Sequence, residues 1–402
     1  MITSLTRRSF LKGACASVSV AATYRMWTPG AAFADDSEHT LVVVFLRGAL
    51  DGLSMVVPAG DNDYYRARPT LAIPANRVLD IDGTFGLHPA MASIHPLFAD
   101  KRLAAVHAAG NLDDSRSHFE AQANMERGTE GANVSTGWLA RHVFASNATA
   151  VPLHAIAWGS ALPASLQGDS AALSLQALDS FGLAGRAALR DPTRDALASL
   201  YEGSTFETPA GAVLEALDLV ENVAEHGPQP HADASYPDTH VGNALREIAR
   251  TIKADVGLST ATVDVGGWDL HAGAGNTDTG AQRTLLADLA DSMAAFATDL
   301  ADRPGSYTLI TMSEFGRRTE ENGSNGTDHG WGNVMLAMGD NLSGTVVGDW
   351  RGLGGDALYR GDVPVTTDYR NVVGELLLGR VGAADLSPIF PGLTHEPVGV
   401  TT

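Results

Sequence analysis

Cysteine and positive charge are the two scarce commodities of this sequence. Cys15 is the lone cysteine of 402 residues, and 27 Lys and Arg face 47 Asp and Glu, a formal net charge of −20. One thiol excludes a disulfide within the chain and a multi-thiolate metal site. Any metal must then be held by His, Asp, Glu, Asn or hydroxyl donors, which suit hard or borderline cations. So acidic a surface repels a polyphosphate backbone and anionic lipid, which argues against nucleic acid as a partner. It also disfavours an anionic small molecule unless a metal or an arginine reverses the field locally. Long apolar runs are missing too: nothing after Asp35 approaches the roughly 20 residues of a membrane span, so no stable membrane insertion is expected.

The basic residues that do occur include a telling pair. Thr6-Arg7-Arg8-Ser9-Phe10-Leu11-Lys12 is followed by a mildly apolar stretch from Gly13 to Thr23, then by small residues at Ala32-Phe33-Ala34. Paired arginines, a short apolar region and a small-residue cleavage point, in that order, predict a twin-arginine signal peptide over residues 1–34. The partner implied is the twin-arginine export machinery, and the destination the periplasm. Cleavage after Ala34 leaves 368 residues, takes Cys15 away and shifts the net charge from −20 to −24. The core alone must then stabilise the mature chain, and its length suffices.

Leu41–Leu46 is a run of six apolar residues rich in β-branched types, the pattern of a strand buried on both faces. Similar runs recur at Leu103–Ala109, Leu153–Trp158, Ala261–Val265, Tyr307–Met312 and Val334–Met338. Between them, Leu214, Leu217, Leu219 and Val220 lie at helical spacing, as do Leu285, Leu286, Leu289, Met293, Phe296 and Leu300, and Asn371–Gly379 gives a short third helix. Strands alternating with helices predict an α/β three-layer sandwich around a mostly parallel sheet. Turn-rich stretches at Gly203–Pro209 and Gly227–Pro237 read as loops around an inserted helical region, about 190–255, in one domain spanning 35–402.

Ligands of such sheets bind beyond the carboxyl ends of the strands, and the segments there are unusually polar. Arg47-Gly48-Ala49-Leu50-Asp51 follows the first strand: Asp51 is a turn aspartate or a metal ligand, and Arg47 can hold an anion. After the second come Ser115, Arg116, Ser117 and His118, where either serine is a helix cap or a hydroxyl nucleophile. Asp269 and His271, two apart on an extended segment, point to one side and can share a metal. Glu314 and Arg317 follow the fifth strand, and Asp328-His329 sits in a glycine-rich turn before the sixth. His88, His95, His107, His142 and His154 lack such company and read as ordinary, partly buried histidines.

The stretches FLRGALDGLSMVVP, RSHFEAQANMERG, GGWDLHAG and TMSEFGRRTEENGSNGTDHGWG resemble a bacterial family catalogued as domain of unknown function 1501. That family is grouped with the alkaline phosphatase and sulfatase superfamily, whose members usually carry two metals and cleave or transfer phosphate or sulfate esters through a hydroxyl nucleophile. The resemblance implies an alkaline phosphatase-like fold, with Ser117 as the nucleophile and Asp51, Asp269, His271, Glu314, Asp328 and His329 around a divalent metal ion such as Zn, Mg, Mn or Ca. Arg47, Arg116 and Arg317 would hold the anion of a small ester substrate. Two departures stand out: the first Asp-His pair is two apart rather than four, and Phe315 replaces a histidine after Glu314. The expected function is metal-dependent hydrolysis of phosphate or sulfate esters. A catalytically inactive metal- or ligand-binding or assembly protein on the same scaffold is the alternative.

Overall fold

The computed structural model describes residues 39–129, 134–146, 152–169, 171–183 and 189–402. The twin-arginine segment and the cleavage point after Ala34 lie outside the described residues. Among these residues, no helix is long and apolar enough to cross a membrane.

The apolar runs form the strands they predict. The main sheet comprises β1 (Thr40–Leu46), β2 (Leu103–Gly110), β3 (Ala155–Trp158), β4 (Leu173–Leu175), β5 (Thr260–Val265), β6 (Tyr307–Met312), β7 (Asn333–Met338) and the short β8 (Val346–Val347) and β9 (Thr367–Asp368). Its order is β8-β2-β7-β6-β1-β5-β3-β4, with β9 also pairing to β2. Neighbours pair in parallel except β7, which runs antiparallel to both β2 and β6. That reversal matters for the site, because the residues before β7 arrive at the edge where the parallel strands end.

The longer helices among the described residues are α1 (His118–Arg127), α2 (Trp138–Ala145), α3 (Arg190–Tyr201), α4 (Glu207–His226), α5 (His240–Lys253), α6 (Ala281–Asp299) and α7 (Tyr369–Leu376). Two-fold alternation along β1 divides the core. Val42, Val44 and Leu46 pack with residues of α4, α5 and α6, while Leu41, Val43 and Phe45 pack with residues of α1, α2 and α7. Helices therefore cover both faces, giving an α/β fold of three layers around a mixed, mostly parallel sheet.

Three features depart from the sequence reading. The stretch 203–209 is only partly a loop, since α4 begins at Glu207. Helix α5 belongs to the main core, burying Val241, Leu245, Ile248 and Ile252 against the sheet and α6. A small antiparallel sheet of Val56–Val57, Gly86–Leu87 and Leu79–Asp80 also forms, from strands too short to leave a periodic signal.

Candidate metal centre

The site grows out of four loops at one sheet edge. The loop after β1 presses so closely on the loop after β5 that a Cβ on Gly48, at φ +114°, would sit 2.6 Å from the Asp269 amide nitrogen, so only glycine fits. Arg317, 2 % exposed, ties the loops together. Its guanidinium donates to the carbonyls of Ala49 (2.7 Å), Thr327 (2.9 Å), Gly48 (2.5 Å) and Trp268 (3.2 Å) and to Asp269 Oδ1 (2.7 Å). On β2, a register shift opposite Asn333–Val334 and a left-handed Ala108 (φ +54°) mark a bulge just before the loop that leads into α1.

These loops bring three imidazoles and a carboxylate together. His329 Nε2 lies 3.1 Å from His118 Nε2, 2.9 Å from His271 Nε2 and 3.2 Å from Asp269 Oδ1. His271 Nε2 is 3.0 Å from Asp269 Oδ1, and His118 Nε2 is 3.6 Å from Asp269 Oδ2. Ligand atoms of His118, Asp269 and His329 all fall within 4.8 Å of one another, a spacing able to hold a metal ion.

The remaining ring nitrogens explain why the Nε2 atoms face inward. His118 Nδ1 meets Glu314 Oε1 at 2.7 Å, His271 Nδ1 meets Asp328 Oδ1 at 3.1 Å, and His329 Nδ1 meets the Arg116 carbonyl at 3.0 Å. For an ionised carboxylate or a carbonyl the only role is acceptor, so each Nδ1 is assigned the proton. A ring holding only that one proton leaves a bare lone pair on its Nε2, and the three Nε2 atoms face one another and Asp269. Arrays of electron pairs with no donor between them call for a cation, and imidazoles oriented through their second nitrogen are the usual supports of one.

Local electrostatics agree. Burial pushes the Glu314 carboxyl up, but hydrogen bonds from Gln122, His118 and the Gly48 N–H outweigh it and hold the group below its usual range. Burial likewise raises Asp269, and the Arg317 guanidinium, which donates to it, more than reverses the effect. Asp328 is lowered by its bonds to His271 and Asn322. His329 is lowered chiefly by burial, which disfavours its protonated form. The centre opens to solvent on one side, where the Asp269 and His271 side chains are 48 % and 44 % exposed.

The metal ligands expected from sequence divide three ways. Asp269, His271 and His329 converge. Glu314 and Asp328 stand one step back, as acceptors for His118 and His271 rather than as members of the inner group. Asp51 lies apart: its Oδ2 accepts from Arg68 Nη1 (2.6 Å) and Ser54 (2.7 Å) in a buried pair. The three arginines expected to hold an anion are each engaged by the protein itself. Arg47 pairs with Glu126 and Asp264, Arg116 with Asp362, and Arg317 with Asp269. Ser117 is exposed at the N-cap of α1 and its side chain makes no capping bond.

His118 is a member of the group that the sequence does not single out. Its signal is its place: it is the first residue of a helix that follows a strand's carboxyl end, one residue past Ser117. Its ring supplies a third imidazole although Phe315 follows Glu314, and it lies against that phenylalanine, ring centroids 4.9 Å apart.

A comparison with curated proteins finds no match. The family described as "Protein of unknown function (DUF1501)" matches residues 38–367, a stretch that contains every residue of the centre. The chain belongs to that family, DUF1501.

Proposed function

We propose that this protein is an exported, metal-dependent hydrolase of phosphate or sulfate esters with Ser117 as nucleophile. The supporting observation is the convergence of three Nε2 atoms on Asp269 while each Nδ1 is committed to an acceptor. His118, Asp269, His271 and His329 would hold the divalent ion. Three nitrogen donors and one carboxylate suit zinc or a similar borderline ion better than magnesium or calcium. When bound, the ion supplies a Lewis acid and local positive charge at an ester oxygen.

The rest falls to the chain. Ser117 Oγ attacks phosphorus or sulfur and its hydroxyl proton leaves to solvent, while the bond to the departing oxygen breaks and that alkoxide takes a proton from solvent to leave as the alcohol. Water then cleaves the seryl ester to free phosphate or sulfate and restore the hydroxyl. The uncapped hydroxyl is free for that attack, and the N-terminus of the ten-residue helix α1 favours an anionic group beside it. A hydroxyl at a helix start also accords with the alkaline phosphatase and sulfatase resemblance. The export route rests on the order of features in residues 1–34; replacing Arg7 and Arg8 by Lys should leave precursor in the cytoplasm.

The deciding experiment is metal analysis of the purified protein together with turnover of an aryl phosphate and an aryl sulfate by the wild type and by Ser117→Ala. Near-stoichiometric metal, with turnover lost in the variant, is expected. Equal turnover removes Ser117 from the mechanism. The internal pairing of Arg47, Arg116 and Arg317 favours a second reading, a metal-binding protein without catalysis, and metal-loaded wild type that turns over neither ester would establish it.

A further inference from the structure

One more segment reaches the centre, from far along the chain. Tyr359, Arg360, Gly361 and Asp362 form a tight turn in which Tyr359 N–H donates to the Asp362 carbonyl (2.9 Å) and Asp362 N–H to the Tyr359 carbonyl (3.0 Å). Arg360 and Gly361 occupy its middle at φ +53° and +85°, the left-handed pair of a two-residue hairpin turn. A non-glycine residue rarely adopts that conformation, and here the surrounding bonds hold it there.

Those bonds all point one way. Tyr359 Oη donates to Asp114 Oδ2 (2.9 Å), and Arg360 Nη1 lies 3.3 Å from the same oxygen. Asp362, with a fully buried side chain, binds the Arg116 guanidinium through Oδ2, and Arg318 Nε lies 3.4 Å from Oδ1. The turn thus grips residues 114–116 at two points. That stretch runs directly into His118, and its Arg116 carbonyl is the acceptor for His329 Nδ1. The third link runs through the neighbouring strand bridges, since Arg318 pairs with Asp362 while Arg317, which holds Asp269, pairs with His329.

We infer that the Tyr359–Asp362 turn is a clamp on the metal centre and that Asp362 is its positioning residue. By fixing Arg116, Asp362 sets where the carbonyl stands, and so which nitrogen of His329 keeps its proton and how Nε2 is aimed. The inference rests on the reading of His118, Asp269, His271 and His329 as a metal centre. A buried carboxylate two contacts away from His329 acts only through orientation, and outer supports of a ligating histidine typically change metal affinity about 10–100-fold.

The test uses the mature protein and zinc as the probe, titrated against a chromogenic chelator, with the ring nitrogens of 15N-histidine-labelled metal-free protein read by NMR. Wild type should bind zinc and show His329 as a single tautomer protonated at Nδ1. Asp362→Ala should weaken zinc binding about 10–100-fold and mix the His329 tautomers. Asp362→Asn, which keeps an acceptor for Arg116, should do less of both. A merely structural role would lower the melting temperature of the metal-free protein and leave the tautomer as it was. Unchanged affinity and tautomer in Asp362→Ala would overturn the clamp while leaving the metal centre standing. A wild type that binds no zinc would sink the metal reading instead, and the tautomer comparison in metal-free protein would still decide the clamp. Should Asp362→Ala fail to fold, Asp362→Asn and Arg116→Lys carry the same comparison.

Discussion

Asp51 and Asp269 leave adjacent parallel strands on glycine-flanked loops, and each meets an arginine, Arg68 at 2.6 Å and Arg317 at 2.7 Å. From sequence they are equivalent candidates. In the fold, Asp51 is sealed with its partner, their side chains 8 % and 0 % exposed, while the Asp269 side chain is 48 % exposed and turns toward two histidine Nε2 atoms. What separates them is the third party. Arg68, at the end of a short helix over Asn62–Ala67, spends its guanidinium on Asp51, Ser54 and the carbonyls of Thr319 and Arg318. No imidazole makes a hydrogen bond to Asp51 among the described residues. An aspartate at a strand end is thus assigned its role by what distant segments deliver to it.

Mutations should split the pair cleanly. Asp51→Ala leaves the buried Arg68 charge unanswered, a situation that costs about 3–5 kcal/mol. Denaturant unfolding should register that loss, while metal content per folded molecule stays as in wild type. His329→Ala should do the reverse: bound metal falls to background and the metal-free protein unfolds nearly as before, because the ring is partly exposed and its one main-chain partner can turn to water. Metal loss in folded Asp51→Ala would merge the two sites and break the comparison.

A smaller effect separates the inner group from its supports. Glu314→Gln keeps an oxygen for His118 Nδ1 but removes the charge that fixes the proton there. Zinc affinity should drop about 10–100-fold, short of the complete loss at His329. Loss as deep as in His329→Ala would place Glu314 among the ligands after all.

The legible and illegible parts follow the same division. Apolar runs such as Leu41–Leu46 announce their strands because burial on both faces removes every polar position, and the edge of that sheet then points to Asp269, His271 and His329. The reversal of β7 is not legible in this way, since an antiparallel strand buried on both faces has the same composition as a parallel one. Nor is the fate of Asp51, which depends on a loop folding back to put Arg68 beside it. His118 is legible in principle: a serine at a helix start carries a strong capping signal, whereas the ring that turns inward belongs to the next residue, the first of the helix.

Histidines repeat the contrast between the two aspartates. His107 is fully buried on β2 with its Nε2 3.2 Å from the Val56 carbonyl, and burial lowers its pKa from 6.5 to about 4. A lowered folded value means the unfolded chain takes up protons first. Stability is therefore complete above pH 6.5, falls as the pH drops below it, and stops falling near pH 4. The full loss from this one ring is on the order of 3 kcal/mol, about 2 of it by pH 5. Denaturant midpoints between pH 7 and pH 4.5 should show His107→Gln with a shallower decline than wild type. Parallel declines would mean that His107 is protonated in the fold as readily as outside it.

The smallest effect sharpens the comparison at the nucleophile. Ser117 and Thr239 both occupy N-caps, of α1 and α5. Thr239 Oγ1 accepts from the Gly242 N–H at 3.2 Å and donates to Asp288 at 2.7 Å, so its hydroxyl holds the helix start in place. Removing such a cap costs about 1 kcal/mol. Ser117 makes no capping bond, and at that exposed position Ser117→Ala should stay within about 0.5 kcal/mol of wild type, as surface changes do. The two variants measured side by side in urea therefore separate the two meanings a serine can have at a helix start. If Ser117→Ala loses as much stability as Thr239→Ala, the hydroxyl is a cap in solution, and any turnover lost with it reflects a loosened His118 rather than a missing nucleophile. If stability holds while turnover disappears, the loss belongs to the hydroxyl itself.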